Sequence, residues 1–438
     1  MKRIVAIVLL VGLCAVSGTA FAEIGTADAV PAATLLIPRF EVDISNAAGQ
    51  TTLFSVNNAS DAPTIAHVTV WSEWSVPVLD FDIYLTGYDV QTINMGDIIR
   101  DGVLPRTAPD STISNLGAFS QPHSTFGGSC LTLSPNYAPI SGTFLAIVQE
   151  ALTGQPLSAG AAAGACAATP GNETLARGFI TVDNVSECSQ EFPNNDGYFI
   201  DGGTGTANND NVLWGDFFLV DPTNAFAQGF TAVHIEADST ALAGGVPSCD
   251  PLAGYTPQTF YCRVLEGTRA ANMALLPGGD NREATGSTIA TRYVTGGGFS
   301  GGTSLLVWRD NGVGVPANCA TGAPNFTQEA LVIFDEEENP ILAPTGGPSG
   351  APGATPVDPF PYCTNRVTVG TAFPVSEPFG WLYVNLNNVD GGALDYNQAF
   401  GLTVMDASGL YSVGFEAIQL NNLSVTSTTA PNPATPGS

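Results

Sequence analysis

Two aspartates one residue apart, Asp80 and Asp82, are the first candidates for chemistry in this chain. Paired carboxylates can act as acid and nucleophile in glycoside hydrolysis when they stand about 5–9 Å apart. They lie in Leu79-Asp80-Phe81-Asp82-Ile83-Tyr84-Leu85, where apolar and polar residues alternate with the period of a strand. The alternation predicts Leu79, Phe81, Ile83 and Leu85 inside and Asp80, Asp82 and Tyr84 on a solvent face with no evident cleft. Trp71, Trp74 and Tyr84, if exposed, are the candidate platforms for a sugar ring. Core packing or sheet-face pairing is the alternative for the same aromatics.

Oxygen-rich loops form the second class. Asn194, Asp196, Asp201 and Asp210 crowd one polar segment, and Asp335-Glu336-Glu337-Glu338-Asn339 follows a strand. Calcium takes about six to eight such oxygens, so Asn194, Asp196, Asp201 and Asp210 are the calcium candidates, without an EF-hand pattern. The alternative is a solvated loop and an acidic strand end that blocks edge pairing. Gly298-Phe299-Ser300-Gly301-Gly302 matches the G-x-S-x-G of serine hydrolases. A strand follows it, however, and His234 is the last histidine, so a Gly-rich hairpin turn accounts for the match. His67, His123 and His234 are isolated from one another and from cysteine. No residue is assigned a catalytic role.

These residues sit in a chain built for export. Lys2 and Arg3 precede the apolar run Ile4–Val11, and Ala20-Phe21-Ala22 supplies a small-x-small cleavage site, so residues 1–22 read as a signal peptide. Leu13 is a poor residue before a lipidated cysteine, which argues against lipidation at Cys14. The mature chain, from Glu23, has no lysine and ten arginines against 40 acids. Such a surface repels phosphate backbones, which excludes nucleic acid as a partner. No apolar stretch of the mature chain is long enough for a transmembrane helix. The cysteines left are Cys130, Cys166, Cys188, Cys249, Cys262, Cys319 and Cys363, with no CxxC pair. In an oxidising compartment disulfides are the default. Loop lengths favour Cys249–Cys262 and then Cys319–Cys363, with Cys130, Cys166 and Cys188 competing for a third bridge.

Short strands separated by turn clusters predict a mostly β chain of antiparallel, immunoglobulin-like sandwich modules. The expected organisation is a module over 23–125, an inserted loop-rich and β region with one short helix over 126–280, a second module over 281–423 and a tail over 424–438. The helix is read from Phe144, Ile147, Val148, Ala151 and Leu152 on one face, with Thr143 as cap and Gly154 as terminator. The modules share a pattern: Arg39-Phe40, Thr51–Val56 and Ala66–Trp71 are echoed by Arg292-Tyr293, Thr303–Trp308 and Ala330–Phe334. Duplication explains the echo, and so does the small set of residue types that strands reuse.

Thr51–Asn58, the Leu79–Ile93 block, Val212–Asp216 and Asp335–Asn339 resemble segments of exported, β-rich bacterial surface and envelope proteins of uncharacterised activity. The resemblance implies no cofactor and no catalytic residue. The expectation is a non-enzymatic surface, envelope or matrix protein, secreted or periplasmic, with a structural or adhesive role and protein or glycan partners. A glycan-binding protein or glycan-active enzyme is the alternative, and a secreted hydrolase using Ser300 the third reading. Calcium is the one cofactor these residues suggest.

Overall fold

The computed structural model describes residues 30–105, 140, 142–187, 189, 191–195, 197–200, 202–237, 260–261, 280–283, 285–295, 302–309, 317–320, 326–328, 330–341, 359–372, 375, 377–390, 393–395, 398–406 and 416–419. The expected leader and tail, Asp196, Asp201, His123, Ser300, Cys130, Cys188, Cys249 and Cys262 lie outside them.

The first half contributes β1 (Thr34–Asp43), β2 (Thr51–Asn58), β3 (Thr64–Ser72), β4 (Pro77–Leu85), β5 (Val90–Asn94), β6 (Leu175–Val185), β7 (Leu213–Asp221), β8 (Phe226–Thr231) and β9 (Val233–Ile235). The second contributes β10 (Thr288–Val294), β11 (Gly302–Arg309), β12 (Ala330–Asp335), β13 (Pro340–Ile341), β14 (Thr364–Thr368), β15 (Phe379–Asn385), β16 (Asn388–Asp390), β17 (Ala393–Asp395), β18 (Ala399–Asp406) and β19 (Glu416–Gln419). Five antiparallel sheets result: sheet I is β5-β2-β7-β8, sheet II β4-β3-β6-β1-β9, sheet III β14-β11-β18-β19, sheet IV β10-β15-β12-β13, and β16 pairs with β17 alone. The sandwich class holds. Strand order is this chain's own, since β1 and β2 lie in different sheets, whereas the first two strands of an immunoglobulin domain share one.

Apart from β9, β16 and β17, the halves repeat strand for strand. Substituting β10, β11, β12, β13, β14, β15, β18 and β19 for β1 to β8 converts sheet II, without β9, into sheet IV, and sheet I into sheet III. Register and side chains agree. Gly178 has no room for a Cβ, which would meet the Trp71 carbonyl oxygen at 1.9 Å and the Phe40 ring at 2.8 Å. At Gly380 a Cβ would meet the Phe334 carbonyl oxygen at 2.1 Å and the Tyr293 ring at 2.9 Å. Trp71 stacks on Phe179, and at the same register Phe334 stacks on Trp381. Thr52 Oγ1 bridges the backbone N–H and carbonyl of Glu41, as Thr303 Oγ1 bridges those of Val294. The hairpin turns match too: Ser75 and Glu338 both take positive φ, and each N–H donates three residues back, to Ser72 and Asp335. The acidic run 335–339 is therefore the second copy of a β-turn.

β6 and β7, assigned to the inserted region, are interior strands of the first sandwich. Helix Gly142–Thr153 begins one residue before Thr143, so Thr143 lies within its first turn. Gly154 ends it as expected, with φ +74° and no space for a Cβ beside the Thr169 carbonyl. A further short helix, Met95–Ile99, follows β5 and is capped by the Asn94 side chain. Among the described residues, no helix is long and apolar enough to cross a membrane.

Sheets I and II make one sandwich, and sheets III and IV make the other. Inner residues of sheets I and II, such as Val56, Phe217, Val70 and Ile180, make the first core. Leu305, Val307, Ile333, Leu382 and Val384 make the second, between sheets III and IV. The other face of sheet III, with Leu306, Trp308, Phe400, Leu402 and Val404, belongs to the first half's cluster. Each such aliphatic residue contributes about 2 kcal/mol by leaving water.

Candidate functional site

Three of the titratable side chains singled out in the sequence, Asp80, Asp82 and His67, meet on the outer face of sheet II. Antiparallel register places Asp82 opposite His67, His67 opposite Asp183 and Asp183 opposite Thr34. The next row on that face is Asp80, Thr69, Thr181 and Leu36. Alternation thus put Asp80, Asp82 and Tyr84 on one face as expected. That face is covered rather than solvated, and all three side chains are buried.

His67 Nδ1 is 2.8 Å from Asp82 Oδ1, and its Nε2 is 3.5 Å from Asp80 Oδ2. Ser189 donates its backbone N–H to the second Asp82 oxygen at 3.1 Å. Burial pushes the Asp82 carboxyl above its ordinary range, and His67 and the Ser189 N–H pull back only part of that rise. At Asp183, Tyr198 and Tyr261 donate their hydroxyls to one oxygen at 2.9 and 2.8 Å, and Thr34 donates to the other. Burial first, then the Asp183 charge, raises both phenols well above their usual pKa. Arg282 stands 3.5 Å from Asp183, donates to the Asp280 and Asn208 carbonyls and lies over the Phe199 ring. The row is a closed network of hydrogen bonds and ion pairs. Substrate would have to displace packed side chains to reach it.

A second ionic group lies where β1 meets β14. Arg39 and Arg366 clamp Glu41 at 2.7 and 2.8 Å. Gln50 also donates to Glu41, and Thr364 donates its hydroxyl to the Pro38 carbonyl. Burial opposes ionisation of Glu41, but the two arginines outweigh it and lower its pKa to about 2.

The aromatic platform reading is overturned. Trp71, Trp74 and Tyr84 are 1, 2 and 5 % exposed. Trp71 lies between Phe179 and a hydrogen bond to Thr181, and Trp74 sits in a small core with Val76, Leu157 and Cys166. Of the calcium candidates, Asn194 is half-buried and Asp210 exposed, and Asp196 and Asp201 lie outside the described residues. Among the described residues, no group of three or more His, Cys, Asp or Glu is arranged to hold a metal. His234 accepts the Gly215 N–H on Nε2 and stacks on Trp214.

The Cys319–Cys363 pairing is also corrected: Cys319 is bonded to Cys166, with Cα atoms 4.8 Å apart. Paired backbone hydrogen bonds between Cys166 and Ala317 bring the two segments together. Cys363 instead lies buried at the entry to β14, its N–H donated to the Glu73 carbonyl. The other expected pair, Cys249–Cys262, lies outside the described residues.

Loop length could not reveal the true partner, because 153 residues separate the two cysteines. The roles of Asp183, Tyr198, Tyr261 and Arg282 were likewise missed. Their only sequence signal was polar residues inside otherwise apolar strands and loops. Protein-family models, curated proteins and solved structures give no match to this chain.

Proposed function

We propose that this chain is a non-enzymatic exported protein of the cell surface, envelope or matrix, with a structural or adhesive role. The observation that carries the reading is the Cys166–Cys319 bridge, which staples the first half to the second. A covalent tie of this kind suits an oxidising compartment and a load-bearing part. The buried His67 and Asp183 clusters and the Glu41 clamp support it, since these groups serve as internal ties between strands, loops and halves. A net charge of −28 and the absence of lysine after the leader suit a soluble exterior life.

The test is fractionation of the native cell with an epitope-tagged chain, peptide mapping without reductant, and attachment and matrix-cohesion assays on a deletion strain. The expected result is a chain outside the cytoplasm with Cys166–Cys319 intact, and weaker attachment or cohesion in the deletion strain. A reduced cytoplasmic chain would overturn the reading. So would a deletion that leaves both properties unchanged.

A further inference from the structure

Sheets II and IV are counterparts, yet their edges differ. β1 is flanked on both sides, by β6 and by β9, whereas its counterpart β10 pairs with β15 alone among the described strands. The two halves keep one register up to the point where the missing neighbour would begin. Val56 stands opposite Gly215, and Val307 stands opposite Gly401. β8 ends with Thr231 opposite Asp216, and β19 ends with Gln419 opposite Leu402. On the receiving strand, the Ala33 carbonyl accepts the Asn184 N–H and the Ser287 carbonyl accepts the Leu386 N–H. Ser287 therefore answers to Ala33, and Thr288 to Thr34.

In the first half Ala232 alone separates β8 from β9, and its N–H is donated to the Gly215 carbonyl. β9 then lays Val233, His234 and Ile235 opposite Leu36, Leu35 and Thr34. His234 Nε2 accepts the Gly215 N–H, and the Ile235 carbonyl accepts that of Ala33. Carried across, Ala232 becomes Leu420, and Val233, His234 and Ile235 become Asn421, Asn422 and Leu423. Their places are opposite Ala290, Ile289 and Thr288. The residue types fit those places. Leu36 and Val233 are both buried, whereas Ala290, in the place of Leu36, is exposed and suits a polar Asn421. Asn422 keeps an acceptor where His234 takes the glycine N–H, and Leu423 keeps an apolar side chain for that of Ile235. Thr288 and Ile289 are 3 and 1 % exposed although they lie on an edge strand. The buried Thr288 hydroxyl has no partner among the described residues.

We propose that residues 420–423, which lie outside the described residues, close sheet IV along the β10 edge of their own chain, as β9 closes sheet II. The Gly401 N–H is then taken by the Asn422 side chain, and the Ser287 N–H by the Leu423 carbonyl. The connection decides whose segment it is. A single residue leads from β19 into the new strand, so the chain's own segment is held beside the edge, whereas a second copy must bring one from solution. An open edge is a template for pairing with other chains, and this closure removes it. The inference goes beyond the proposed function, because it stands on the repeat alone. An exported chain with the β10 edge left open would overturn it and leave that reading in place.

The experiment is disulfide trapping in the full mature chain. Ala290→Cys is combined with Asn421→Cys and, as a control for register, with Ser427→Cys. The oxidised chains are sized in denaturant without reductant, and their linkages are mapped by peptide mass. The expected result is a 290–421 link at the mass of one chain, and no 290–427 link. Hydrogen exchange supplies a second measurement: deleting residues 420–438 should speed exchange of the β10 amides by about tenfold or more and leave those of β3 and β6 unchanged. Near-UV circular dichroism checks that the deletion variant is folded, and if it is not, the trapping alone decides. A 290–421 pair that stays reduced overturns the proposal. So does a link found only at twice the chain mass, which would make the donor a second copy. Equal trapping at 427, or a folded deletion variant whose β10 exchanges as before, would overturn it too.

Discussion

Replacing Glu41 with glutamine removes the one negative charge between Arg39 and Arg366 while keeping the shape of the side chain. In the folded chain this carboxyl has a pKa of about 2, against an ordinary 4.5. A shift of that size corresponds to about 3 kcal/mol at neutral pH. Its sign is that of a depressed acid: the stabilisation is fully present above about pH 4.5 and drains away as pH falls towards 2. Arg366 is partly solvated, so its share is screened, whereas Arg39 is buried and loses its partner. The assay is urea unfolding of wild type and Glu41→Gln at steps from pH 7 down to 2. The variant should be about 3 kcal/mol less stable at pH 7, with the gap closing at the acid end. A gap below about 1 kcal/mol at pH 7, or one that does not change with pH, would refute the ion-pair account.

Two further predictions probe the buried row and the duplication. Tyr198 and Tyr261 should stay protonated in an ultraviolet titration of the folded chain after exposed phenols have ionised, whereas in denaturant all 11 tyrosines should titrate together. If both ionise with the exposed set, Asp183 is not held as described. Gly178→Ala and Gly380→Ala should each cost about 3 kcal/mol in chemical denaturation, because the new methyl meets a neighbouring strand's carbonyl. If either variant is as stable as wild type, the two glycines are not equivalent.

Much of this architecture was legible in the residues. Alternation in Leu79–Leu85 fixed the strand and the grouping of its side chains into two faces. It said nothing of what lies against each face, so a face closed by Tyr198, Tyr261 and the second half was expected to be wet. The echo of Arg39-Phe40 in Arg292-Tyr293 pointed to the duplication. Adjacent threonines hid its register: Thr51 had been matched to Thr303, and the hydrogen bonds to Glu41 and Val294 show that Thr52 is the equivalent residue. The candidate site was legible only in fragments, because His67, Asp82, Asp183 and Arg282 come together through pairings far apart in the chain. Charge patterning within a segment carries no information about such distant partners.

The Cys166–Cys319 bridge also sets the path of mechanical force. If the two ends of the chain are pulled apart, tension passes from Cys166 straight to Cys319, and the 153-residue separation between them carries none of it. At about 3.5 Å of extended chain per residue, about 500 Å of polypeptide is kept off the load path. Strands β6 to β11 lie within that sheltered stretch. They include the central strand of sheet II and the strand that brings Trp308 against it. Stretching from the ends therefore loads β1 to β5 and β12 to β19, with the Glu41 clamp between β1 and β14 among the first ties to feel it.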